Sequence, residues 1–177
     1  TEIYTLSLHD ALPISANALK ILDILDAEAI PVFAGAASGL VTEGQNASYV
    51  HGEDGLGGVD IPASKRKLES KPAALALIDL AKANPGELEL IAIGPLTNLA
   101  LALRLDPDLP SRYKRLVIMG GAHLAQGNTP NYSAEFNLYA DPDAAAVVFA
   151  NWPKFTMISW DRKSTRLNSS HRIRSRM

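Results

Sequence analysis

Residues 119–146 read MGGAHLAQGNTPNYSAEFNLYADPDAAA. An apolar run of the kind a buried strand uses, Leu116-Val117-Ile118, leads into them. They close on Asp141-Pro142-Asp143 followed by Ala-Ala-Ala-Val-Val-Phe. That is a helix start, with Asp as N-cap, Pro at the first helical position and a second acid in the first turn. About twenty residues separate strand from helix. Connections that long in a compact domain are usually functional or disordered. Leu124, Tyr132, Phe136, Leu138 and Tyr139 argue for order, as buried anchors of the loop. The same loop carries His123, Asn128, Asn131, Glu135 and Asn137. Amides and carboxylates engage hydroxyls, which both donate and accept, so the loop suits a hydroxyl-rich ligand.

Outward from this stretch, strand and helix patterns alternate. Residues 17–28 set Leu19, Leu22 and Leu25 beside a polar stripe of Lys20, Asp23 and Asp26, an amphipathic helix. Residues 31–35 form a short apolar strand. Residues 37–70 have no sustained period and hold six glycines between Gly39 and Gly58. A mostly apolar helix follows over 73–83, stopped by Asn84-Pro85-Gly86. Then come a strand over 88–93, a turn at Gly94-Pro95-Leu96-Thr97-Asn98, a helix, a strand over 115–119, the long loop, a helix from Asp141 to Ala150 and a strand over 155–160. Short apolar strands alternating with helices predict an α/β fold: an open, mostly parallel, doubly wound sheet with helices on both faces. The four strands are expected to be neighbours. In such sheets ligands bind at the carboxyl ends of the strands. Every unusual segment here follows a strand.

The chain has 177 residues, enough for one domain with a real core. It contains no cysteine, which excludes disulfides and thiolate metal sites and fits the cytoplasm. No apolar run approaches a membrane span, and no secretory pattern opens the chain. The net charge of −2 hides an asymmetry: residues 162–177 hold six basic and no acidic residues, while residues 16–161 hold 11 basic and 17 acidic ones. The basic end fits a nucleic-acid arm in principle. A simpler reading is preferred, because residues 1–15 and 162–177 both resemble translated sequencing-adapter sequence. They are expected to be foreign tails with few contacts, leaving a partial domain over 16–161.

Three groups carry candidate chemistry. His51-Gly-Glu-Asp-Gly-Leu-Gly-Gly58 lacks the G-x-G-x-x-G order and the Walker lysine of phosphate loops. Its His51 fits either an ordinary surface residue or a polar contact and general acid. The turn at Gly94–Asn98 fits a strand-to-helix cap, or a strand end exposing carbonyls to a hard cation. Asn128, Glu135 and Asn137 fit either loop-structuring side chains or ligand contacts.

Read together, the segments resemble the inosine-uridine preferring nucleoside hydrolase family. The residues that carry the resemblance are Asn17-Ala-Leu19, His51-Gly-x-Asp-Gly-Leu-Gly57, Gly94-Pro-Leu-Thr-Asn98, Met119-Gly-Gly121, Gly127-Asn128, Ala134-Glu-Phe-Asn137 and Ala140-Asp-Pro142. They span nearly all of residues 16–161 in family order. The resemblance implies hydrolysis of the N-glycosidic bond of ribonucleosides, with Ca²⁺ holding ribose hydroxyls and the attacking water. It implies that Thr97 offers its backbone carbonyl to the calcium and that Asn128, Glu135 and Asn137 hydrogen-bond ribose. Met119 would pack beside the sugar, and His51 would lie toward the base as the catalytic residue. The implied partner is a small-molecule ribonucleoside, with no nucleic acid and no membrane, and a homo-oligomer for the full-length parent. The family's aspartate-rich first strand, expected before Asn17, and its His-Asp pair, expected beyond Asp161, have no counterpart here. This chain is therefore expected to be inactive alone. The alternative is a non-catalytic nucleoside-binding module without the metal site.

Overall fold

The structure, a computed structural model, describes residues 4–6, 11–27, 29–42 and 48–161. In chain order the elements are β1 (Tyr4–Leu6), α1 (Ala11–Ile24), β2 (Val32–Ala34), α2 (Ser48–His51), α3 (Ala73–Ala83), β3 (Glu89–Ala92), α4 (Thr97–Leu105), α5 (Leu109–Arg112), β4 (Arg115–Met119), α6 (Phe136–Ala140), α7 (Pro142–Asn151) and β5 (Thr156–Ile158). β3, β4 and β5 form a parallel sheet in that order, with Glu89 opposite Arg115 and Val117 opposite Thr156. The α/β architecture with a parallel sheet is the one the alternating pattern predicts.

The first strands depart from expectation. β2 does not pair with β3; it lies parallel to β1 in a separate two-stranded sheet, with one further bridge from Phe33 to Glu69. Residues 1–15 were expected to make few contacts. Among those described, Tyr4–Leu6 pair with Val32–Ala34, residues 11–15 open α1, and Ser15 is fully buried. The expectation for residues 162–177 lies outside the described residues. α1 also stops earlier than its amphipathic pattern, at Ile24. Asp26 takes a left-handed φ of 51°, and the Ala27 N–H reaches back to the Leu22 carbonyl at 2.9 Å, a Schellman-type stop.

The core explains the alternation in the strands. Leu90, Leu116 and Ile118 are buried in one cluster with Ala74, Leu77 and Ala81 of α3, Leu99, Ala100 and Leu103 of α4, and Ala144 and Val148 of α7. Successive side chains of a strand point to opposite faces. The other side of the same sheet therefore carries Ile91 and Ile158, both exposed. Fully buried alanines, Ala100 and Ala102 on α4 and Ala144 on α7, keep the packed helices close. No helix among the described residues is long and apolar enough to cross a membrane.

The two sheets meet at the carboxyl ends of their strands. The Ala36 N–H donates to Asn98 Oδ1 at 2.9 Å, the Leu40 N–H to Asp141 Oδ2 at 3.0 Å, and the Thr42 hydroxyl to the Ala140 carbonyl at 3.2 Å. The segment after β2 is thereby laid against the turn after β3 and the junction of α6 and α7.

A paired substitution tests which side of the sheet is core. Leu116→Ala, at a fully buried position, should cost about 2–5 kcal/mol. Ile91→Ala, on the exposed side of the neighbouring strand, should cost under about 1 kcal/mol. Chemical denaturation of the two variants reads the difference, and equal losses would contradict the assignment.

Candidate functional site

The site is built where β3 and β4 end. The Asn137 side-chain amide bridges them: Nδ2 donates to the Ile93 carbonyl at 3.2 Å and to the Met119 carbonyl at 3.0 Å, and lies 3.3 Å from the Met119 sulfur. Asn137 stands in α6, and Glu135 caps that helix. Glu135 Oε1 accepts from the Asn137 N–H at 3.0 Å, and Oε2 from the Leu138 N–H at 3.3 Å. Oε2 also accepts from the Gly121 N–H at 3.0 Å, just past the end of β4. A carboxylate only 2% exposed is thus held by three backbone donors, the charge-assisted kind of hydrogen bond.

The rest of the loop is structured by its own polar side chains. Asn128 Oδ1 accepts from the Phe136 N–H at 2.8 Å. Asn131 Oδ1 accepts from the N–H groups of Ser133 and Ala134 and from the Thr129 hydroxyl, which closes a tight turn. Asn131 is therefore a turn-former, as Asn favours. The strands of this turn run very close at Gly127: a Cβ built there would lie 1.8 Å from the Ala134 carbonyl oxygen. Gly121 adopts φ 75°, open to glycine at little cost. Phe136, Leu138 and Tyr139 are half-buried anchors, as expected. Leu124 and Tyr132 are not: they are 56% and 81% exposed. Tyr132 sits at φ 60° in the turn, where its backbone serves the loop and its ring faces solvent.

The structure brings Met119, Asn128, Glu135 and Asn137 into one loop system at the strand ends. Hydrogen bonding leaves two groups in it open. Among the described residues no hydrogen bond reaches Asn137 Oδ1 or Asn128 Nδ2. One is an acceptor and the other a donor, the pair a hydroxyl requires. Glu135 also keeps acceptor capacity, since its two oxygens offer about four lone-pair sites and three are engaged.

Thr97 and His51 are placed differently. Thr97 opens α4, where its carbonyl enters the helix ladder, and its hydroxyl donates to Asp141 Oδ2 at 2.6 Å. His51 is exposed at the end of α2. Its loop is organised by Asp54, which accepts from the N–H groups of Leu56 and Gly58, and is tied to α1 by the Asn17 amide donating to the Asp54 carbonyl at 2.7 Å. The Leu56 N–H, then that of Gly58, hold the Asp54 carboxyl below the usual carboxylate range. Among the described residues no group of three His, Cys, Asp or Glu side chains is arranged to hold a metal ion.

Two residues of the site escaped the sequence reading. Asp141 was legible only as a helix cap, because its other partners lie 44 and 101 residues away. Asn98 was legible as a turn residue, and its bond to Ala36 crosses 62 residues.

Residues 10–176 match the inosine-uridine preferring nucleoside hydrolase family. The chain belongs to this family. It is 47% identical over 146 residues to the non-specific ribonucleoside hydrolase RihC of Escherichia coli, covering 82% of this chain and 47% of that one. It is 41% identical over 145 residues to uridine nucleosidase 1 of Arabidopsis thaliana, covering 80% and 42%. Among solved structures, the plant nucleoside hydrolase PpNRh1 superposes with a TM-score of 0.80 at 35% identity, covering 85% of this chain and 48% of that one. A purine-preferring ribonucleoside hydrolase from Gardnerella vaginalis gives 0.76 at 34% identity, covering 82% and 47%. The chain spans about half the length of these relatives.

The close approach at Gly127 is testable against a glycine with room. Gly127→Ala forces the Ala134 carbonyl aside and should cost more than about 2 kcal/mol. Gly57→Ala meets nothing within 4 Å and bears only its positive φ, a cost of about 1–2 kcal/mol. Thermal melts of both variants should rank them in that order.

Proposed function

We propose that this chain carries the ribose-binding part of an N-ribohydrolase, which splits ribonucleosides into free base and ribose. The observation that supports it best is Asn137, whose Nδ2 spans the Ile93 and Met119 carbonyls at the ends of two strands while no hydrogen bond among the described residues reaches its Oδ1. In that reading Asn128, Glu135 and Asn137 contact ribose hydroxyls, and Met119 packs beside the ring. Cleavage breaks the bond between C1′ and the base nitrogen, the base leaves with a proton, and water supplies hydroxide to C1′. The ribosyl group gains positive charge on the way, so the buried Glu135 carboxylate favours the transition state over the neutral ground state. His51 is assigned to the base side as general acid, in keeping with its exposed place in a glycine-framed loop. The setting proposed is cytoplasmic, in keeping with a chain free of cysteine.

Calcium, which the family resemblance implies, needs about six to eight oxygen ligands. The described residues do not fit it by themselves, because no group of three His, Cys, Asp or Glu side chains among them is arranged to hold a metal ion and the Thr97 carbonyl would supply a single ligand. In this reading Glu135 contacts ribose and does not take the proton of the attacking water. General-base catalysis alone contributes about 10²–10⁴-fold.

The experiment is a ribose-release assay on inosine and uridine. The chain as it stands should release none, with or without added calcium; turnover would overturn the proposed division of labour. Joined to the flanking segments of the Escherichia coli relative, residues 16–161 should support hydrolysis. There Glu135→Ala or Asn137→Ala should lower kcat by about 10–100-fold, the worth of a hydrogen bond to a charged group of about 1.5–3 kcal/mol. If both variants kept kcat and KM, the loop would not be the ribose site.

A further inference from the structure

Asp141 is fully buried, and its carboxylate serves three separate segments. Oδ1 accepts from the Ala144 N–H at 2.9 Å, capping α7. Oδ2 accepts from the Thr97 hydroxyl at 2.6 Å and from the Leu40 N–H at 3.0 Å. The cap alone does not need a carboxylate, since Asn or Ser serves as well. Two further donors on the second oxygen do, because an amide would turn its NH₂ toward them. The residue is also the C-cap of α6, so it stands directly after the helix that carries Asn137.

Its position explains how the segment after β2 is held. Among the described residues no strand pairing crosses between the two sheets. Hydrogen bonds cross there from Leu40 to Asp141, from Ala36 to Asn98 and from Thr42 to Ala140, all on or beside this carboxylate and its Thr97 partner. The segment passes close over it: a Cβ built on Gly39 would lie 3.2 Å from the Asp141 carboxyl carbon. We propose that Asp141 is a positioning residue at the strand ends, a latch that fixes residues 36–42 against the Thr97–Asn98 turn and the start of α6–α7. The latch stands on geometry alone. Its meaning for ligand binding rests on the ribose reading above.

The test is residue-resolved amide hydrogen exchange on the full chain, with inosine binding followed in parallel by saturation-transfer NMR. Asp141→Asn keeps an acceptor for Ala144 and removes one for Leu40. Exchange at Leu40 should speed by at least tenfold, while Ala144 and the core amide of Leu116 stay within about twofold of the unaltered chain. Thr97→Val, which leaves the cap untouched, should speed Leu40 several-fold, and Thr97→Ser should restore it. Leu40 exchange unchanged in Asp141→Asn, or sped equally with Ala144 and Leu116, would overturn the latch. If Asp141→Asn does not fold, the Thr97→Val and Thr97→Ser pair decides alone, and no effect of Thr97→Val on Leu40 would overturn it. Inosine affinity should fall at least threefold in Asp141→Asn. Should the unaltered chain not bind inosine while Leu40 responds as expected, the latch holds and the ribose reading fails.

Discussion

A parallel sheet presents its strand ends as bare backbone, and the groups that satisfy those ends decide the shape of everything above them. Here Asn137 does this for two adjacent strands at once, by donating to the carbonyls of Ile93 and Met119. The bridge only works if α6 arrives at a fixed height over β3 and β4. Glu135 fixes that height. It is bonded both to the first N–H groups of α6 and to Gly121 at the exit of β4. Strand exit and helix entry are thus tied through one carboxylate, across a loop that would otherwise be free to wander. An unpaired polar backbone group buried there would cost on the order of a lost hydrogen bond.

The same logic explains why the loop is polar inside. An irregular segment has no ladder of its own, so its backbone groups need side-chain partners. Asn128 answers the Phe136 N–H, and Asn131 answers those of Ser133 and Ala134. The loop-structuring and ligand-contacting readings of these residues therefore do not compete. Asn131 spends its Oδ1 on three donors of its own turn. Asn128 and Asn137 spend one end on the backbone and keep the other open.

Legibility in the sequence followed the range of the interactions. Helices over 73–83 and 99–105 and strands around 88–93, 115–119 and 155–160 were readable, because apolar periodicity and Gly or Pro punctuation are local, and α4 starts two residues earlier, at Thr97. The cap at Asp141 was readable for the same reason. The separate pairing of β2 with β1 was not, because a three-residue apolar run says nothing about its partner. Nor was the early stop of α1, where a left-handed Asp26 overrode a pattern that continued to Leu25. At the site, the cluster of Asn128, Glu135 and Asn137 was legible as composition. What each side chain holds was not, since Asn137 acts on Ile93 from 44 residues away. Apolar character alone does not imply burial: Leu124 and Tyr132 are exposed, Tyr132 at a left-handed φ in its turn.

The consequence for binding is one of timing. A hydroxyl ligand captured by flexible side chains must order them on arrival, at about 0.5–1.5 kcal/mol for each rotamer-rich group. In this loop the ordering is done when the chain folds, because each candidate contact is already fixed by a backbone partner. Asn137 cannot rotate without releasing two strand ends, and Glu135 cannot without uncapping α6. What such a site offers is a preset arrangement of open lone pairs and N–H groups rather than strong individual contacts. That suits a reaction whose substrate changes little in shape and much in charge, since fixed dipoles favour the charged state without reorganising. It also means that substitutions here act on the fold and on any bound ligand together. Stability and affinity must therefore be measured on the same variants before either is interpreted.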